Sequence, residues 1–259
     1  MFRNLLIAAG IAGLPAALIL TLVQALWIAP LILKAETYED AAAATEPAHE
    51  HVHADHDHAD AMAGHDHAEE HAQVAEAAHE HHHAADEWKP ADGFERAMYT
   101  LAANIALGFG YGLVLAALYT LRRKSVSLVH GALFGVAGYL VFFAAPALGL
   151  HPELPGTAAA ELVVRQQWWI GTAAATALGI GLIFLQPNWL LRAVGVALVA
   201  APHLLGAPQP AVHASLAPEE LQTQFRIATS LANALFWLLL GLLSALAFRP
   251  VYAARLSAQ

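Results

Sequence analysis

Cysteine is absent from this chain, which excludes disulfides and thiolate metal sites, and three methionines are too few for a thioether site for Cu(I). Charge is nearly as scarce: 13% of residues are charged, against about 25% in an average soluble domain, while 58% are hydrophobic. That balance reads as an integral membrane protein. No Gly-x-x-x-x-Gly-Lys phosphate loop occurs, so the chain carries no ATP motor of its own, and no basic surface pattern suits nucleic acid. Any metal site must therefore use nitrogen and oxygen.

What is present is concentrated. Residues 49–83 hold twelve of the sixteen histidines and nine Asp or Glu, with no Lys or Arg. The histidines are His49, His51, His53, His56, His58, His65, His67, His71, His79, His81, His82 and His83. Such a segment cannot build a core, and it reads as a disordered loop. Its His-x-His pairs, interleaved with Asp55, Asp57 and Asp66, set imidazole and carboxylate groups close enough for neighbours to share one divalent cation. The loop reads as a metal collector; the bland alternative is a solvated low-complexity insert whose histidines do nothing specific.

The apolar runs predict an all-α bundle of about six transmembrane helices. The first, residues 5–33, exceeds the roughly 7 to 15 residues of a signal-peptide core and is expected to remain as a membrane helix. Others are expected at 98–121, 128–150, 168–185, 189–205 and 227–248. The organisation is thus helix 1 in 1–33, an external acidic and His-rich loop in 34–97, and helices 2 to 6 in 98–259. Glycines at 108, 110, 112, 131 and 135 offer small surfaces for close helix approach. Arg3, Arg122, Arg123, Lys124, Arg192, Arg249 and Arg255 fall on one side of this arrangement, which the positive-inside rule makes cytoplasmic. Both termini are then inside, and the His-rich loop is periplasmic or external.

Polar groups within or beside the helices gather toward that external side: Gln24, Asn104, His151, Glu153, Glu161, Arg165, Gln166, Gln167, His203 and Asn233. His130, near the other end, is the exception. Polar side chains in a membrane are costly and usually face an interior or a cavity, so their clustering predicts a vestibule. Glu161 and Arg165, four apart, are expected to pair. Pro202 is expected to open its helix where His203 projects. The expected translocation site is His203 with Glu153 and Glu161, and Gln24 as a secondary oxygen ligand. The competing account makes His203 a partner of a carbonyl freed by Pro202.

Five stretches together resemble the CbtA family of predicted cobalt transporter subunits: Met1-Phe-Arg-Asn-Leu-Leu, Trp88-x-Pro-x-Asp-Gly-x-Glu-Arg96, Pro146-x-x-Gly-Leu-x-Pro-Glu-Leu-Pro-Gly156, Arg165-Gln-x-Trp-Trp169 and Pro202-His-Leu-x-Gly-Ala-Pro208. The resemblance spans nearly the whole chain. It implies a bacterial inner-membrane protein, cobalt uptake associated with cobalamin synthesis, and a small His-containing membrane partner of the CbtB type; assembly of several copies is a further expectation. From the residues alone the metal stays open, since imidazole and carboxylate suit Co(II), Ni(II) and Zn(II) alike. The chain is read as a permease subunit and not as an enzyme. The alternative is a membrane-anchored metal-binding or sensing module without transport activity.

Overall fold

An apolar segment in a bilayer must satisfy its own backbone N–H and C=O groups, and this chain does so with helices. The computed structural model describes residues 2–45, 90–122 and 125–256. Among these there is no strand, only one isolated bridge, and the helices are α1 (Phe2–Val23), α2 (Ala29–Thr45), α3 (Phe94–Arg122), α4 (Leu128–Tyr139), α5 (Ala145–Gly149), α6 (Leu162–Leu185), α7 (Trp189–Leu205) and α8 (Glu219–Leu256). Two π-helical turns, Gln24–Ile28 and Leu140–Ala144, join α1 to α2 and α4 to α5, so the eight segments make six continuous rods. Each π turn ends two residues before a proline, Pro30 or Pro146. Proline lacks the N–H that an α-helical register requires, and the wider turn absorbs the mismatch without ending the rod.

Five rods are long and apolar enough to cross a membrane: Arg3–Thr45, Phe94–Arg122, Leu128–Gly149, Leu162–Leu185 and Glu219–Pro250. The sixth, α7, has 17 residues, about 25 Å of helix against a hydrocarbon core of about 30 Å. Its limits are local. Asn188 Oδ1 accepts from the Leu190 N–H at 2.9 Å, and Gly206 closes the helix at φ 84°, a backbone region that favours glycine. The chain is an all-α integral membrane protein.

The first rod outlasts its apolar run. Helix continues through Lys34, Glu36 and the alanines 41–44 to Thr45, because these residues favour helix even in water. Glu36 also gains a partner: Arg96 of α3 reaches it with both terminal nitrogens, at 2.6 and 3.3 Å. The helix therefore continues beyond the apolar run that ends at Leu33.

Packing rests on glycine. A Cβ on Gly13 would lie 2.5 Å from the Gly108 backbone, where α1 crosses α3. One on Gly131 would lie 2.6 Å from the Gly241 carbonyl, where α4 crosses α8, and one on Gly179 would lie 2.6 Å from the Gly195 carbonyl, where α6 crosses α7. The main bundle is α1, α3, α4 and α8; the α6–α7 hairpin joins it through α5 and the second π turn. There Trp169 meets Phe142, which stacks on Trp237 at 5.4 Å and 4°.

Alternation of the rods gives the molecule two unlike ends. The described acidic residues, among them Glu36, Asp92, Glu153, Glu161 and Glu219, belong to the end from which residues 45 and 90 leave. Arg3, Arg122, Arg192 and Arg249 lie at the other, basic end, where Arg249 donates to the Val126 carbonyl at 3.3 Å.

Candidate functional site

At the acidic end two proline-rich loops, residues 150–161 and 206–218, are drawn together by an antiparallel bridge between Thr157 and Ser215. Ala158 N–H donates to Ala214 at 2.9 Å, Leu216 N–H donates to Gly156 at 3.1 Å, and the two hydroxyls lie 3.1 Å apart. Gly156 makes the turn possible at φ 71° and lies against the Glu39 side chain of α2. Buried Leu154 and Ala217 anchor the loops in the core. Between the loops, α6 and the start of α8 is a cavity of about 750 Å³, lined by His151, Glu153, Arg165, His213, Glu219 and Arg226 among others. Beside it lies a cavity of about 300 Å³, lined by Leu148, Gly149, His151, Trp168, His203, Ala207 and Gln209. His151 and Gln209 border both.

The expected residues separate into three groups. His203 and Glu153 line the two cavities, His203 the smaller and Glu153 the larger. Glu161 lines neither: it is the residue before the first turn of α6, with extended ψ of 136° and an exposed side chain. The Arg165 backbone N–H donates to the Glu161 carbonyl at 3.2 Å, but the Arg165 guanidinium pairs with Glu153 instead, at 3.6 Å. Those two side chains are 33% and 30% exposed, so the pair is solvent-screened and weak. Gln24 is elsewhere. Its Oε1 accepts from the buried Asn104 amide at 2.5 Å, and the same amide donates to Thr21 at 2.9 Å, which makes it an α1–α3 tie beside the first π turn.

Pro202 does not open α7. It is buried one turn before the helix ends and its carbonyl accepts the closing Gly206 N–H at 3.0 Å. His203 is half-buried against the edge of Trp168, centroids 6.1 Å apart and rings at 72°. His130, at the basic end, has both ring nitrogens engaged. Arg122 Nη2 lies 2.6 Å from Nε2 and Ser127 Oγ 2.7 Å from Nδ1. A guanidinium only donates, so Nε2 accepts from Arg122, while Nδ1 faces both the Ser127 hydroxyl and the Ser127 backbone N–H, which lies 3.3 Å away, so both ring nitrogens are taken up within the protein.

Sequence reasoning counted His151 among the polar groups but not as a ligand, and it passed over His213, Glu219 and Arg226. Histidine between prolines in both loops was a usable signal; that the loops pair was not visible without the fold. Among the described residues no three His, Asp or Glu side chains converge as a metal site. The twelve histidines of 49–83 lie outside the described residues, as do two His-Glu-x-x-His spacings in that segment, starting at His49 and His79. Among the described residues, what the acidic end offers chemically is a cavity with Glu153 and Glu219 against Arg165 and Arg226, next to a smaller one lined by imidazole and amide without a charged side chain.

Neither curated proteins nor solved structures yield a match to this chain. A family model described as "Probable cobalt transporter subunit (CbtA)" matches residues 2–249, nearly the whole length. The chain belongs to the CbtA family.

Proposed function

We propose that this chain is the permease subunit that admits a divalent transition-metal ion, Co(II) by preference, through the bacterial inner membrane. The family match carries the proposal. Two features support it. The His-rich segment is tethered at Thr45 and Pro90, at the end that carries the cavities, so a collector and an entrance share one face. That face also holds most of the acidic residues, whereas the opposite end is basic, which the positive-inside rule assigns to the cytoplasm.

Inward movement needs no ATP. A dication crossing 100 mV, negative inside, gains about 4.6 kcal/mol, twice the roughly 2.3 kcal/mol per charge. In this reading residues 49–83 raise the local ion concentration, Glu153 and His203 exchange ligands with its hydration shell, and a small CbtB-type subunit completes the assembly. Glu161 and Gln24 contribute charge and packing at a distance from the ion.

Initial rates of radioactive cobalt uptake, in cells lacking their own cobalt importers and expressing this chain with its small partner, test the proposal. Uptake should saturate, compete with nickel and zinc, and collapse when the membrane potential is dissipated. Uptake no faster than in cells without the chain, with the protein present in the membrane, would favour an anchored metal-binding module instead.

A further inference from the structure

We infer that His151 and His203 form a two-imidazole station, in the smaller cavity, for a partly hydrated late transition-metal dication such as Co(II), Ni(II) or Zn(II). Both histidines line that cavity, on different segments: His151 just beyond α5 and His203 near the end of α7. Neither hydrogen-bonds a described residue, in contrast to His130. The T-shaped contact with Trp168 holds the His203 ring in place.

The lining decides the ligand class. Among the described residues, no Asp, Glu, Lys or Arg borders the smaller cavity. Hard cations such as Mg²⁺ and Ca²⁺ bind through carboxylate and carbonyl oxygen, and a site without carboxylates holds them poorly. Imidazole suits cobalt, nickel and zinc. With two imidazoles and the Gln209 amide as the donors in a space of about 300 Å³, several waters stay on the ion. Such a station discriminates by donor type and still releases its ion, because it forms only part of the coordination shell. His151 and Gln209 border the larger cavity too, so an ion that has met Glu153 or His213 there can reach the station without leaving histidine.

The inference rests on the proposed ion class but not on transport. Because the chain has no cysteine, a single one at Ala207, in the wall of the smaller cavity, reports on occupancy in the full-length protein in native membranes. Labelling of Ala207→Cys by a maleimide should slow about tenfold at a Co(II) concentration ten times the dissociation constant, the factor being one plus the ratio. Mg²⁺ should not slow it. His151→Gln or His203→Gln, added singly, should remove the protection, and His213→Gln should retain it. As a check independent of those variants, His151→Cys combined with His203→Cys should bind Cd(II) and lose maleimide reactivity at both positions, at concentrations that leave each single cysteine reactive. Protection that survives both glutamine variants, or an Ala207→Cys protein that Co(II) never protects, would overturn the station. Protection without cobalt uptake would instead overturn the permease proposal and leave the station standing.

Discussion

Asn104 shows how a single side chain can be legible in type and not in role. Its position within an apolar helix marked it as polar for a reason, and the reason is structural: its amide ties α3 to Thr21 and Gln24 of the first rod. Asn104→Leu should lower stability in detergent by about 1 kcal/mol, the scale of an interhelical hydrogen bond in membrane proteins, while cobalt uptake per folded molecule stays at the parent level. A loss of uptake with unchanged stability would place Asn104 and Gln24 on the ion's route. Glu153 and Glu161 diverge for a similar reason. Composition cannot tell a carboxylate in a cavity wall from one on an exposed residue before a helix, because the distinction is where the loop turns. Uptake should therefore fall in Glu153→Gln, which also frees Arg165 to repel the ion, and stay near parent in Glu161→Gln. A fall in both variants would restore the expectation drawn from the sequence, which placed both carboxylates at the site.

At the scale of elements, the apolar runs located every rod, because a bilayer leaves helix as the form available to them. The ends were harder to read. Rod one extends to Thr45 on an alanine-rich stretch and an ion pair that hydropathy does not register, and α8 begins at Glu219, well before its apolar run. The glycines were recognised as packing surfaces, yet their partners and their inequality emerge only from the crossings. Gly108 lies against Gly13, whereas a Cβ on Gly110 would meet nothing within 4 Å. Gly110→Ala should then be neutral or stabilising by up to about 0.5–1 kcal/mol, from relieving glycine's conformational cost in a helix. Gly108→Ala should destabilise by about 1–3 kcal/mol, the range for overpacking. Thermal unfolding of the two variants in one detergent decides it; equal midpoints would contradict the crossing.

For the whole molecule, the unlike ends were visible in the order of charges alone, while the cavities were not, since they depend on two loops 58 residues apart joining at Thr157 and Ser215. The proposed sidedness rests on that order. Single cysteines at Thr157 and Ala211 should react with an impermeant reagent applied to intact spheroplasts, and one at Ser125 should not. Labelling at Ser125 would invert the topology. The division of labour between collector and entrance is equally testable. Deleting residues 46–89 should raise the cobalt concentration for half-maximal uptake and leave the maximal rate largely intact. In the parent, metal held by that segment should fall away as pH drops through the ordinary imidazole range near about 6.5, because only neutral imidazole coordinates. The account as a whole depends on whether the assembly itself passes the ion. The chain, co-purified with its small partner and reconstituted into vesicles that enclose a fluorescent metal indicator, should admit Co(II) when a potassium diffusion potential makes the interior negative. His203→Gln should abolish that signal with the protein incorporated to the same level. Entry no faster than into protein-free vesicles, or entry indifferent to the potential and to His203, would contradict it.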